Sequence, residues 1–220
     1  MIARETSSME VDPLVAAARA SGVRDRRVLD ALAAVPRAAY VPADRAYEAS
    51  RDRPIPIAGG QVTTQPSLVA AMVQALELRG HERVLEIGTG LGYQAAVLAR
   101  LARDVFTVER RPELADAARA NLERGGVRNA RVLTRDGSDG LPEHAPFDAI
   151  IVAAAHPTVP PPLVVQLAAD GRLVQPIGPS GAEDVFLFRR DASGRLVRER
   201  WITGAYFVPL YGRHGFPPAD

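Results

Sequence analysis

Apolar residues recur along this chain first at helical spacing and then in short blocks, and the change divides it. Asp12-Pro13 reads as an N-cap and first helical position, opening an apolar-periodic helix that Gly22 ends. A second helix carries Val28, Leu29, Leu32 and Val35 on one face and stops before Pro36. Residues 36–60 are rich in proline and aromatics and weakly periodic, yet too apolar for a linker, so they are expected to form an ordered arm across the core. Gln61 to Gln65 precede a helix opened by Pro66, with Leu68, Val69, Met72, Val73 and Leu76 inward. Strands and helices then alternate: strand 83–87, helix 92–102, strand 104–108, helix 112–124, strand 130–134, strand 148–154, helix 160–168 and strand 172–177. From Glu183 the order becomes strand, Gly194 turn, long strand, with Val185–Phe188 facing Leu196–Leu210. The alternation predicts an α/β fold with a mostly parallel sheet covered on both faces, and the hairpin makes its far edge antiparallel.

The first strand of the alternating region runs into a glycine turn. Arg83 to Tyr93 read Arg-Val-Leu-Glu-Ile-Gly-Thr-Gly-Leu-Gly-Tyr, with Gly88, Gly90 and Gly92 behind Glu86. A strand, a glycine turn and a helix form a nucleotide-binding crevice at the carboxyl edge of an α/β sheet. A dinucleotide fingerprint is G-x-G-x-x-G, whereas G-x-G-x-G stands here, which disfavours a nicotinamide oxidoreductase. The spacing suits S-adenosylmethionine, which has no pyrophosphate to seat. The helix N-terminus and the bare backbone of Gly88, Thr89, Gly90 and Gly92 can then approach its methionine part, while Glu86 is expected to face its cationic side. Glu109 ends the next strand, 21 positions after Gly88, where a carboxylate can accept hydrogen bonds from ribose hydroxyls. Asp136-Gly137 follows the third strand, and its carboxylate is placed to bond the exocyclic amine of an adenine. Alone, Asp-Gly is an ordinary turn.

Composition narrows the alternatives. The 220 residues suffice for a full core, and 47% hydrophobic with 24% charged residues is ordinary for a globular protein. Cysteine is absent, which removes disulfides and thiolate metal sites and suits a reducing compartment. No run approaches the ~18 apolar residues of a membrane span, and Met1 to Val11 lack the apolar centre of a secretion signal, so a cytoplasmic location is expected. All 27 basic Lys and Arg residues are arginines, a compositional bias, and the net charge of +1 gives no electrostatic case for nucleic acid.

Several segments then carry a resemblance: Pro36-Arg37-Ala38-Ala39-Tyr40-Val41-Pro42, Gly59-Gly60-Gln61-Val62-Thr63-Thr64-Gln65-Pro66, Val84 to Tyr93, Phe147-Asp148-Ala149-Ile150-Ile151-Val152, Gly171-Arg172-Leu173-Val174 with Pro176-Ile177-Gly178, and Phe207-Val208-Pro209-Leu210. With these the chain resembles the protein-L-isoaspartate O-methyltransferase family across nearly its whole length. The glycine motif is general to methyltransferases, while the Gly-Gln-x-x-Ser/Thr-x-Pro segment is particular to this family. The resemblance implies a Rossmann-like class I methyltransferase fold in a single domain. Residues 1–80 would supply N-terminal helices and a substrate-side arm, 81–180 the cofactor-binding core, and 181–220 the antiparallel strands. The family segment typically reads Gly-Gln-Thr-Ile-Ser, its serine beside methyl donor and acceptor. Here Val62, Thr63 and Thr64 follow Gln61, so the resemblance gives the hydroxyl role to Thr64 and makes Gln61, Val62 and Thr63 substrate-side candidates. The extra methyl of threonine narrows the site, and Val62 lacks a hydroxyl. The same threonines also suit a helix cap ahead of Pro66, so both roles are expected at once.

The implied reaction is methyl transfer from S-adenosylmethionine to the α-carboxylate of L-isoaspartyl residues in damaged proteins, the ester then collapsing to a succinimide. Tolerance for D-aspartyl residues is left open. A carboxylate is already ionised at neutral pH, so the chemistry needs alignment and dryness rather than a strong base. This accords with a sequence offering no metal cluster and no Ser-His-Asp ordering. His81, His144 and His214 fall in polar, loop-like contexts, and His156-Pro157 reads as a turn. Ala153 to Pro157 contain no Asn/Asp-Pro-Pro-aromatic segment, which argues against methylation of nucleic-acid bases. Two rival readings are the same chemistry on one biosynthetic peptide and a non-catalytic peptide-binding module. The expected partners are damaged proteins, met as a monomer, with neither nucleic acid nor membrane involved.

Overall fold

The computed structural model describes residues 12–179 and 181–217; the reading of Met1–Val11 lies outside these. Helix α1 (Pro13–Ala20) begins where the Asp12 carboxylate accepts the Leu14 N–H at 2.8 Å, and α2 (Arg26–Ala34) is capped likewise by Asp25. The arm is ordered: 3-10 turns at Arg37–Tyr40 and Ala43–Glu48 lead into a small antiparallel hairpin, β1 (Ile55–Ile57) and β2 (Gln61–Thr63). Helix α3 (Pro66–Ala75) follows.

The alternating region forms β3 (Arg83–Ile87), α4 (Tyr93–Ala99), β4 (Asp104–Glu109), α5 (Pro112–Arg124), β5 (Ala130–Thr134), β6 (Phe147–Val152), α6 (Pro161–Gln166) and β7 (Leu167–Ile177). The hairpin is β8 (Glu183–Arg190) with β9 (Leu196–Ala205). The sheet order is β5-β4-β3-β6-β7-β8-β9, parallel from β5 to β7 and antiparallel beyond. The chain enters at β3, moves outward to β5, then returns past β3 to β6. The carboxyl ends of β3 and β6 are therefore a topological switch point, where α/β folds open a crevice.

Strand alternation sends successive residues to opposite faces. Val84, Val105, Ala149 and Ile151 face α1 to α4, whereas Leu85, Phe106, Ile150 and Val152 face the side closed by α6. Both faces are dry, which explains the continuous apolar strands.

Several boundaries differ from the sequence reading, among them that of β6, which spans Phe147–Val152 rather than 148–154. Helix α4 ends at Ala99, not at residue 102. Helix α6 stops at Gln166, because Leu167 already pairs with Phe147, and the register jumps from there to Ala149 opposite Arg172. Asp170 (φ 58) and Gly171 lie in this bulge, whose apolar approach imitates a continuing helix. Strand β9 ends at Ala205, short of Leu210. Residues 206–210 leave it because the buried Glu183 carboxylate takes the Phe207 N–H at 2.8 Å, and they run beside Ala155 instead.

Candidate active site

An open cavity, about 940 Å³ when its solvent-filled mouth is included, lies at the switch point. The carboxyl ends of β3, β4 and β6 form its floor, the β1–β2 hairpin stands over one end, and residues 208–211 bound it along another edge.

Gly88, Gly90 and Gly92 all adopt positive φ (94°, 55° and 94°), so the turn out of β3 needs residues free of the left-handed penalty. At Gly88 a methyl group would merely touch Ala153 at 3.4 Å, so torsion rather than space demands glycine. Gly88, Thr89 and Gly90 line the cavity. Gly92 serves packing instead, since a Cβ there would meet Leu122 at 3.3 Å, and this close approach seats α4 on α5.

Glu109 lines the cavity beside this loop. Its Oε2 accepts the Gly90 N–H at 2.9 Å and its Oε1 the Arg111 N–H at 3.0 Å. These bonds fix the carboxylate and leave lone pairs on both oxygens for a vicinal diol.

Glu86 is not where the sequence reading put it. Its carboxylate is wholly buried beneath the loop, accepting from Gln94 Nε2 at 2.9 Å and Thr107 Oγ1 at 2.5 Å, and Thr107 in turn bonds Thr89 Oγ1. Burial, opposed by these bonds, pushes its pKa up to about 8. The group that reaches the cavity is Gln94, whose Oε1 is buried without a partner among the described residues. Glu86 therefore orients an acceptor instead of supplying a charge.

Asp136 is also committed within the chain. Its Oδ1 accepts the Ser138 N–H and hydroxyl at 2.9 and 2.7 Å, and its Oδ2 accepts the Arg213 N–H at 2.7 Å. Partial burial raises its pKa, but the Arg213 and Ser138 bonds outweigh this and hold the carboxyl below its usual value. Gly137 lines the cavity, with Ile87 so near that a Cβ would lie 2.5 Å from its Cγ2. Residues 211–214 lie over this loop: His214 N–H reaches Ser138 Oγ at 3.0 Å, and Arg110 stacks 5.2 Å from the Tyr211 ring centre. Asp136 thus fastens a strap across the edge of the site and does not itself line the cavity, whereas its neighbour Gly137 and Tyr211 do.

At the other end, the hairpin separates its two threonines. Both are among the residues lining the cavity, but Thr63 is buried and its hydroxyl accepts from Arg37 Nη2 at 3.0 Å and from Ile55 N–H at 3.3 Å. Thr64 lines the cavity and its hydroxyl has no partner among the described residues. Neither caps α3: the Ser67 N–H is taken at 2.8 Å by Asp52, which also binds Gln65. The expected double role is therefore not met, and the cap lies 15 residues upstream in sequence from Ser67. Gln61 and Val62 line the opening, Val62 being exposed.

None of the histidines lines the cavity. His144 stacks on Phe106, His214 pairs with Asp139 at 3.3 Å, and His156 bonds the Thr158 carbonyl and meets Phe216 edge-on. Among the described residues no cluster of His, Asp or Glu is arranged to hold a metal, and no helix is long and apolar enough to cross a membrane. Arg37, Tyr93 and Gln94 were missed by sequence reasoning. The signal available for the last two was their place directly behind Gly92.

The switch-point crevice, the glycine turn and the acidic tip of β4, together with the antiparallel β8–β9 edge, define a class I methyltransferase. Orphaned Gln94 Oε1, the fixed Glu109 carboxylate and the bare glycine backbone offer acceptors and close approach suited to S-adenosylmethionine. A family model described as protein-L-isoaspartate(D-aspartate) O-methyltransferase matches residues 9–215, and the chain belongs to that family. It is 49% identical over 199 residues to the protein-L-isoaspartate O-methyltransferase of Methanoculleus marisnigri, covering 90% of this chain and 89% of that one. The protein of the same name from Anaeromyxobacter dehalogenans is 51% identical over 191 residues, covering 86% and 91%. A solved protein-L-isoaspartate O-methyltransferase superposes with a TM-score of 0.80 at 30% identity, over 92% of this chain and 66% of that chain. A Plasmodium falciparum chain solved in complex with S-adenosyl-L-homocysteine shares the fold (TM-score 0.78, 21% identity, 91% and 97% covered). Members of the family are S-adenosylmethionine-dependent O-methyltransferases.

Proposed function

We propose that this chain methylates the α-carboxylate of L-isoaspartyl residues in damaged proteins. The reading rests on one observation: in a hairpin whose other hydroxyl is spent on Arg37, the Thr64 hydroxyl stays unpaired on the cavity wall shared with the glycine loop. When bound, S-adenosylmethionine would supply a sulfonium methyl that an oxygen nucleophile attacks, the new O–C bond forming as the C–S electron pair leaves with sulfur. Binding, alignment and exclusion of water fall to the residues of the chain. Glu109 holds a ribose, Gln94 offers its fixed oxygen to the amino-acid end, and Gly88 to Gly90 let the backbone close in. Thr64 donates to the acceptor carboxylate and sets its angle, and the apolar walls of Ile57, Val69 and Leu210 exclude water. No proton has to be removed, in keeping with a cavity that no histidine enters.

A net charge of +1 and the absence of cysteine fit a protein acceptor and a reducing, cytoplasmic setting, and we expect a monomer. The test is incubation with methyl-labelled donor and matched isoaspartyl and aspartyl peptides. Base-labile label on the isoaspartyl peptide alone is expected; equal labelling of both peptides, or none, overturns the reading.

A further inference from the structure

Tyr93 opens α4 immediately after the glycine loop, lies between the glycine loop and the hairpin, and is 5% exposed. Its ring packs against Tyr40 with centroids 6.1 Å apart, while the Arg37 guanidinium lies 5.9 Å above it. The ring lines the cavity together with Thr64, and its hydroxyl has no hydrogen-bond partner among the described residues. A buried hydroxyl without a partner is unfavourable unless a ligand completes it.

Arg37 has the same incompleteness in charge. It is 3% exposed and donates to the Arg51 and Arg53 carbonyls, each at 2.8 Å, and to Thr63 Oγ1, while its Nε has no partner among the described residues. Every one of these acceptors is neutral. Of the nearby carboxylates, Glu48 is paired with Arg45 and Arg53, and Asp52, which bonds the neutral Gln65 and Ser67, acts on the guanidinium only through space, without a hydrogen bond. A buried guanidinium with no carboxylate bonded to it raises the local affinity for an anion.

We propose that the Tyr93 hydroxyl is a substrate-binding donor that hydrogen-bonds the acceptor carboxylate opposite Thr64, with Arg37 behind it as a positioning residue favouring the anion. This rests on the methyl-transfer reading above and adds to it a second donor, from the loop side of the cavity. Two donors converging from separate elements specify where a carboxylate sits, which one hydroxyl cannot do. Burial raises the phenol pKa, and Arg37 opposes this only in part, so the group remains a donor at any working pH.

Tyr93→Phe removes one oxygen and no observed hydrogen bond, so the variant should melt at the temperature of the parent or slightly above. Binding of an isoaspartyl peptide, measured calorimetrically with S-adenosylhomocysteine present, should weaken about tenfold, with kcat/KM falling by a similar factor. Affinity for S-adenosylhomocysteine itself should stay within about twofold of the parent. The parent should also prefer the peptide carboxylate over its carboxamide, and the variant should lose most of that preference. Unchanged peptide affinity in the variant overturns the inference. So does an equal loss of S-adenosylhomocysteine affinity, which would assign the hydroxyl to the donor. If the parent neither binds nor methylates the isoaspartyl peptide, the functional reading itself falls, an outcome distinct from failure of Tyr93 alone.

Discussion

Arg37 and Thr63 are joined by a 3.0 Å hydrogen bond, and that bond gives two adjacent threonines different roles. Thr63 is an internal strut of the arm, and Thr64 keeps a free hydroxyl. Thr64→Val should lower kcat strongly while donor affinity holds, and Thr64→Ser should retain activity. Thr63→Val should instead destabilise the fold by about 1–3 kcal/mol, because two buried donors lose their acceptor. Denaturant titration alongside turnover separates the two. Equal stability loss at both positions, with unaltered turnover in Thr64→Val, would remove Thr64 from the chemistry.

Glu109 does two things at once, fixing the glycine loop through Gly90 and presenting oxygens to the cavity. Glu109→Ala should weaken S-adenosylhomocysteine on the order of tenfold or more, since hydrogen bonds to a charged acceptor contribute about 1.5–3 kcal/mol each. Calorimetry that finds unchanged affinity would exclude the residue from the donor site.

The buried Glu86 makes stability depend on pH. Its pKa is about 8 in the folded chain against 4.5 when free, so between these values the folded state keeps a proton that the unfolded state releases. That contribution is complete below about pH 4.5, declines as pH rises, and is gone above about pH 8. Glu86→Gln mimics the protonated form and can keep both bonds, donating to Thr107 and accepting from Gln94. Melting curves at pH 6 and pH 9 should show a smaller drop for the variant than for the parent. Parallel curves would mean that Glu86 is ionised throughout.

Gly88→Val places a β-branched residue at φ 94°, where the torsional penalty outweighs the near contact with Ala153. The loop should distort and donor affinity should fall further than in Glu109→Ala. A variant that folds and binds normally would displace the glycine loop from the donor site.

Sequence periodicity locates the sheet well, because strands buried on both faces are continuous apolar runs and glycine marks their exits. Helix α5 and strand β5 agree with their expected bounds, 112–124 and 130–134. What escapes periodicity is set by side chains meeting across long separations. Spacing places Glu86 beside the crevice but cannot reveal that Thr107 and Gln94 turn its carboxylate inward. Asp136 reads as free because its partner, the Arg213 N–H, lies 77 positions away. The cap of α3 falls by proximity to the adjacent threonines, because Asp52 reaches it only once the arm has folded back. The hairpin 55–63 has Gly59 and Gly60 at its turn, yet its two three-residue strands are too short for alternation to register.

The strap over Asp136 and Ser138 has a consequence for how long a molecule lasts. Residues 208–211 face the same cavity as the glycine loop, so a ligand held between them braces the segment that leaves β9 against the middle of the chain. Local opening of that edge would first have to expel the ligand, and mass action makes expulsion rarer as ligand concentration rises. The supply of methyl donor and of its spent form would then set the protein's resistance to degradation, so that a cell rich in either holds more of it at the same rate of synthesis.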